Sequence, residues 1–232
     1  MIKSQPDLKT LQSLLQINFN NPQLLLTAIT HKSYTNEDKT ATDNERLEFL
    51  GDAVLEFVVS DFLYKNFQNQ PEGNLTALRA KIVCTTSLTQ LAKHLNLGKF
   101  LRLSKGEAKS GGRQNINILA DLVEAIIGAI YLDQGLTTAY NFIHRHLLSP
   151  YHKLPDLNQI KSAKTRLQEI IQNQYKLTPI YKVIQEKPDQ DAPDHFTIGV
   201  YVNNQLLGVG QGKNKKTAQE KAAQAALQKL KH

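Results

Sequence analysis

The sequence predicts a multidomain chain in which an all-α domain over residues 1–148 is followed by a small α+β domain of order α-β-β-β-α over residues 161–232. Three observations carry this prediction. Up to Leu148, apolar residues recur at three- and four-residue spacing, broken by turn signals at Asn20-Asn21-Pro22, Pro71-Glu72-Gly73 and Gly111-Gly112. Residues 149–160 then hold two prolines among mostly polar side chains, as a linker does. Beyond it the period changes. A helix is expected over Ser162–Gln174, a strand over Ile180–Glu186, a hairpin of Phe196–Val202 and Gln205–Val209 across Asn203-Asn204, and a closing helix over Thr217–Lys231.

Composition bounds the function classes. Hydrophobic residues are 41% of 232, with no block of like charge, so packed domains are expected and a disordered chain is not. The most apolar stretch, Ile118–Leu132, contains Asp121 and Glu124 and falls short of the roughly 20 residues a membrane span needs. The N-terminus MIKSQPDLKT has no apolar signal core, and the single Cys84 makes no intrachain disulfide, so a cytoplasmic protein is expected. Cys84 itself reads as a core residue of a buried helix, and His31 and His94 read as structural.

The charge is uneven. Residues 161–232 hold 12 Lys+Arg against 6 Asp+Glu, whereas residues 1–160 hold 16 against 15. The excess of positive charge therefore lies in the C-terminal part, where a polyanion would be held, although solubility alone also produces such a bias.

Glu45–Tyr64, ERLEFLGDAVLEFVVSDFLY, carries the first chemical signal. On a helix, Glu45, Glu48, Asp52 and Glu56 fall at about 0°, 300°, 340° and 20°, a single acidic stripe. Apolar residues fill the rest of the circumference, so the helix is expected to be buried. Ile118–Leu132 repeats the pattern, with Asp121 and Glu124 three apart on one face and no Lys or Arg in the stretch. Like charges set in apolar walls need compensation. A lone pair of acids is usually met by a distant Lys or Arg. Two matching pairs favour a hard divalent cation with oxygen ligands, Mg²⁺, with Mn²⁺ expected to substitute. Glu56 is read as a surface or salt-bridged residue, and Glu45 either as a ligand or as half of an ion pair.

Lys213, Lys215 and Lys216 crowd the start of the last helix, where cations oppose the helix dipole and bound anions would relieve them. Alone this reads as a solvated lysine cluster. The α-β-β-β-α order and a turn expected at Gly210 and Gly212 shift the reading toward phosphate binding.

NERLEFLGDAVL (Asn44 to Leu55) closely resembles the signature of the ribonuclease III family. NPQLLLTAITHKSY, EGNLTALRAKIV, LGKFLRLSKGEAKSGG and ILADLVEAIIGAIYLDQG follow in family order, and KTRLQEIIQ, PIYKV and GQGKNKKTAQEKAAQAAL resemble a double-stranded-RNA-binding domain. The resemblance implies a metal-dependent endonuclease of double-stranded RNA in which Glu48, Asp52, Asp121 and Glu124 bind metal and Asp52 and Glu124 are catalytic. It implies that Glu45 serves subunit contacts or RNA positioning. It also implies that Thr165, Gln168, Glu169, Lys213, Lys215 and Lys216 contact RNA, through 2′-hydroxyls and phosphates. A homodimer that leaves 5′-phosphate and 3′-hydroxyl ends with short 3′ overhangs is implied too, with processing of ribosomal RNA precursors and other structured transcripts as its work. No membrane and no organic cofactor are expected.

The chain departs from the family pattern in three places. KPDQDAPDH stands where a compact Gly-Pro-x-His loop is usual, which leaves the role of His195 open; Asn214 replaces a serine and keeps the capacity to cap a helix; and RQNIN (Arg113 to Asn117) leaves one cation where the family has several, so fewer RNA contacts are expected there. The alternative functions are a catalytically silent RNA-binding scaffold of the same fold and, more remotely, a DNA-binding regulator. The filled set of four acids favours the nuclease.

Overall fold

In the computed structural model, which describes residues 7–153 and 162–230, the helical periodicity of the first part resolves into seven α-helices among the described residues. They are α1 (Leu8–Leu15), α2 (Pro22–Ala28), α3 (Glu45–Asn66), α4 (Glu72–Val83), α5 (Thr85–His94), α6 (Lys105–Lys109) and α7 (Ile116–Ile143). The helix starts are written in the local sequence. Asp7, Asn21, Ser104 and Asn115 each accept a backbone N–H with a side-chain oxygen, and Pro22 opens α2 where its missing N–H costs nothing.

The chain divides into two compact units, Met1–Leu154 and Pro155–His232. Helix α7 is the axis of the first unit. From Ile118 to Ile130 it is buried except at the half-buried Asp121 and Glu124. The backbone breaks from helical geometry at Gly135, which has a φ of 79°. A short parallel bridge between Thr30 and Arg102, with Arg102 N–H donating to the Ile29 carbonyl at 2.8 Å, ties the segment before α3 to the segment before α6. Residues Ser149–Tyr151 form a 3-10 turn, and the His152 ring meets Phe62 edge-on at 6.2 Å, so the opening of the expected linker packs on the helical unit. Residues 154–160 of that linker lie outside the described residues.

Two expectations for this unit need correction. Helix α3 is not buried all round: Phe49 is 80% exposed, Phe57 57% and Tyr64 75%. Leu47, Gly51, Val54, Leu55, Val58, Val59, Phe62 and Leu63 form its buried side, and the aromatic side faces solvent. Periodicity alone cannot separate an apolar face covered by the same chain from one left open. Cys84 is not inside a helix either. It is the partly exposed junction between α4 and α5, with extended backbone (φ −68°, ψ 153°).

The second unit follows the expected order: α8 (Ala163–Tyr175), β1 (Ile180–Glu186), β2 (Phe196–Val202), β3 (Gln205–Gly212) and α9 (Lys215–Lys229). The strands form an antiparallel sheet in the order β1-β2-β3, in register at Tyr181 with Val200 and at Gly199 with Val209. Asn203 and Asn204 both have positive φ, 47° and 65°, as a tight two-residue hairpin of matching twist requires. Leu167 and Ile171 from α8, Val200 and Val202 from β2, and Ala222, Ala223, Ala226 and Leu227 from α9 make the core.

Gly210 and Gly212 are not a turn, as the sequence suggested, but belong to β3. A Cβ at Gly210 would fall 2.1 Å from the backbone nitrogen of Ala222, and one at Gly208 would fall 2.5 Å from the Ala222 carbonyl oxygen. Alternate positions of β3 thus lack side chains because α9 rests on the strand backbone.

Candidate metal centre and RNA-binding face

Helices α3 and α7 cross at a pair of glycines. A Cβ at Gly51 would stand 1.8 Å from the Glu124 carbonyl oxygen, and one at Gly128 would stand 2.2 Å from that of Leu47. Glycine inside a helix costs about 1 kcal/mol relative to alanine. Its use at both places lets the backbones touch where the acids sit. Sequence reading missed both glycines, and that propensity cost at the middle of two acid-bearing helices was the available signal.

The crossing brings together Glu48, Asp121 and Glu124, each of which offers a carboxylate oxygen within 4.8 Å of the other two. Asp52, exposed and one turn after Glu48, lies beside this trio without belonging to it. Among the described residues, no Lys or Arg forms an ion pair with any of the four. Lys32 comes nearest in role, but its ammonium is bound to Glu45 at 2.9 Å. Of the two readings left open for Glu45, the geometry gives the ion pair. Glu56 is exposed, as expected.

The electrostatics match this geometry. Burial, reinforced by Asp52, Asp121 and Glu48, pushes the Glu124 carboxyl up to about 8. Burial also raises Glu48, with Asp121 adding to the shift, and it raises Asp121 against the opposing influence of His31 and Lys32. Carboxylates held so close without a cation retain protons well above their ordinary range, because loss of each proton adds a like charge in a poorly solvated place. The donor set is all carboxylate oxygen, with no Lys or Arg ion-paired to it among the described residues, which fits a hard divalent ion.

His31 is a local structural residue: its ring nitrogen accepts the Ser33 backbone N–H at 3.2 Å and starts the turn Lys32–Asn36. His94, by contrast, is exposed at the end of α5.

In the second unit, Thr165, Gln168 and Glu169 are exposed on the face of α8 opposite the buried Leu167 and Ile171. Lys213, Lys215 and Lys216 are exposed at the start of α9, which begins two residues earlier than expected. Asn214 caps that helix, accepting the Thr217 N–H at 2.9 Å. Lys213 reaches Asp191 at 3.4 Å, and Lys215 lies over the Phe196 ring at 5.3 Å. His195 is buried, its Nδ1 2.9 Å from the Asp189 carbonyl oxygen and its Nε2 3.5 Å from Glu186, so it fastens the β1–β2 loop from inside. Glu220 was not singled out from the sequence. From α9 it accepts the backbone N–H of Ala163 at 2.5 Å and of Lys164 at 3.4 Å, and so caps α8.

Comparison with known proteins agrees with both units. Residues 21–151 match the family model described as Ribonuclease-III-like, and residues 163–230 match the double-stranded RNA binding motif. A curated Ribonuclease 3 of Carboxydothermus hydrogenoformans is 47% identical over 232 residues, 97% of each chain, and that of Clostridium perfringens is 42% identical over 94% of this chain and 92% of its own. Among solved structures, the nuclease domain of ribonuclease III from Campylobacter jejuni aligns with a TM-score of 0.59 and 41% identity, covering 62% of this chain and 99% of that one. With one domain model covering the helical unit, a second covering the sheet unit, and relatives aligned nearly end to end, the chain belongs to the ribonuclease III family.

Proposed function

We propose that Glu48, Asp52, Asp121 and Glu124 hold Mg²⁺ and that this chain there hydrolyses phosphodiester bonds in double-stranded RNA, leaving 5′-phosphate and 3′-hydroxyl ends with short 3′ overhangs. The observation that carries the reading is the convergence of Glu48, Asp121 and Glu124 within 4.8 Å, with no Lys or Arg ion-paired to them among the described residues. A divalent ion bound there supplies charge neutralisation and a water of lowered pKa for attack at phosphorus. The chain's own contribution is placement. The backbone contact at Gly51 and Gly128 fixes the carboxylates as a rigid cradle, and Asp52 at its exposed edge is the acid open to substrate and solvent. Asp52 and Glu124 are assigned the catalytic roles.

The second unit supplies grip. Exposed Thr165, Gln168 and Glu169 suit the 2′-hydroxyls of an RNA minor groove, and the lysines at the start of α9 suit phosphates, so A-form shape is read more than base sequence. The open stripe of Phe49, Phe57 and Tyr64 beside the acids supports a homodimer, since an exposed apolar patch of this kind marks an interface. A solved relative from Campylobacter jejuni is described in terms of dimer formation of its nuclease domain. Within the cell, processing of ribosomal RNA precursors and other structured transcripts in the cytoplasm is the work assigned. No helix among the described residues is long and apolar enough to cross a membrane.

The test is cleavage of a long RNA duplex with Mg²⁺, with EDTA as control, by the native chain and by Glu124→Gln. Cutting that needs the metal and vanishes in the variant, while RNA binding persists, is the expected result. Binding without cutting by the native chain would favour the silent scaffold, and normal cutting by the variant would refute the role of Glu124.

A further inference from the structure

The helical unit is almost neutral, yet one of its cavities is purely basic. Between the end of α5 and the start of α7 lies a space of about 430 Å³ whose polar lining comes from Lys93, Asn96, Lys99, Arg113 and Gln114, with no carboxylate. Residues 1–160 contain nearly as many acids as bases, so three cations around one cavity with no acid is not the average surface of this unit.

The cavity is also built. Arg113 Nη1 donates to the carbonyls of Gly98, Lys99 and Leu101 at 3.0, 3.1 and 2.8 Å, which winds residues 98–101 around the guanidinium and fixes one wall. A Cβ at Gly98 would stand 2.2 Å from the Arg113 carbonyl oxygen, so the wall is held by backbone contact too. Lys93 is exposed in the last turn of α5. Lys99 is exposed as well, its ammonium 4.7 Å from the Phe100 ring centroid. Neither lysine is in an ion pair among the described residues. Two unpaired ammonium groups and a fixed guanidinium around a space this size match a phosphate group in charge and in hydrogen-bond donors.

We propose that this cavity binds a backbone phosphate of the RNA duplex, as an anchor on the helical unit separate from the lysines of α9. It rests on the double-stranded-RNA reading above. The chain is then not poor in RNA contacts around Arg113, as the sequence departure there suggested. Arg113 builds the wall, while Lys93 and Lys99, from a different stretch, supply the free charge. Gln114 in the lining adjoins Asn115, the cap of the helix that carries Asp121 six residues on, about 9 Å along its axis, so the cavity sits at the start of the helix that bears the acids.

The experiment measures duplex-RNA affinity of the full chain in EDTA, where no cleavage occurs, across a series of salt concentrations. It compares the native chain, Lys93→Gln with Lys99→Gln, and the charge-keeping pair Lys93→Arg with Lys99→Arg, all with melting curves as a check on folding. The glutamine pair is expected to bind about 5- to 10-fold more weakly near physiological salt and to lose about 1 from the slope of log K against log salt, and the arginine pair to restore both. An unchanged affinity and slope for the glutamine pair would overturn the proposal. Inorganic phosphate titrated against the amide resonances of Gly98 and Lys99 separates sources. Phosphate binding at an otherwise unchanged RNA affinity assigns the cavity to a small free anion and overturns the RNA reading of it. No duplex binding by the native chain would sink the proposed function along with this inference, whereas binding by the native chain equal to that of the glutamine pair sinks this inference alone.

Discussion

Gly51 and Glu124 meet through their backbones: the space where a Cβ would stand on Gly51 is already taken, 1.8 Å away, by the Glu124 carbonyl oxygen. One methyl group at this place has to push α3 off α7. Gly51→Ala is therefore expected to destabilise the helical unit by about 1–3 kcal/mol, the usual range for overpacking, and to weaken Mn²⁺ binding in the folded protein. Denaturant melts and Mn²⁺ electron paramagnetic resonance check both effects. A Gly51→Ala chain with native stability and native Mn²⁺ affinity would show that the contact does not hold the acids together.

Glu124, pushed up to about 8 from an ordinary 4.5, makes the metal-free protein sensitive to pH. Below about 4.5 the carboxyl is protonated in folded and unfolded chains alike and costs nothing. Between the two values the unfolded chain gives up the proton that the folded chain keeps, so raising the pH favours unfolding. In EDTA the melting temperature is expected to fall as pH rises from about 5 to 8, and the stabilisation given by Mg²⁺ to grow over the same interval because the ion replaces the proton. Melting curves across that range with EDTA or Mg²⁺ are the measurement. A Mg²⁺ effect independent of pH would contradict it.

Phe49, at 80% exposed, contributes nothing to the core of its own unit. Its replacement by aspartate should leave the fold intact and break the homodimer proposed to cover it. Sedimentation velocity is expected to give a dimer for the native chain and a monomer for Phe49→Asp, with matching circular dichroism. A native monomer, or a dimer indifferent to Phe49, rules out that interface.

Glu220 holds the first turn of α8 from α9, through the N–H groups of Ala163 and Lys164. Its removal in Glu220→Ala should cost about 1 kcal/mol, the usual worth of a helix cap, and free those amides to exchange. Glu220→Gln, which keeps an acceptor oxygen, should restore most of the protection. Hydrogen exchange at Ala163 and Lys164 reads this directly, and unaltered exchange in the alanine variant would dismiss the cap.

Much of this was legible in the sequence, for reasons visible in particular residues. The helix α9, the strands and the Asn203-Asn204 hairpin follow from local propensity and turn chemistry, and the structure has them. The four acids stood out because charge inside apolar runs demands an explanation. What sequence alone did not reveal depends on distance between segments. The contact of Gly51 with Glu124, the packing of Gly208 and Gly210 under Ala222, and the cap from Glu220 to Ala163 each join residues far apart in the chain. The exposure of Phe49 and Phe57 is not legible in the sequence, because an apolar side chain has the same hydropathy whether it is covered or open. KIVCTTSL has helical spacing on both sides of Cys84, and only the backbone reveals the break there.

The seating of α9 on β3 leaves no side chain at Gly208 and Gly210 to act as a cushion. At those glycines the pitch of the basic helix against the sheet is set by main chain, while Val200, Val202 and Leu227 fill the rest of the contact. The frame that carries Lys213, Lys215 and Lys216 is thus as inflexible as a jig at those two glycines, and a side chain grown at either would shift the whole basic edge.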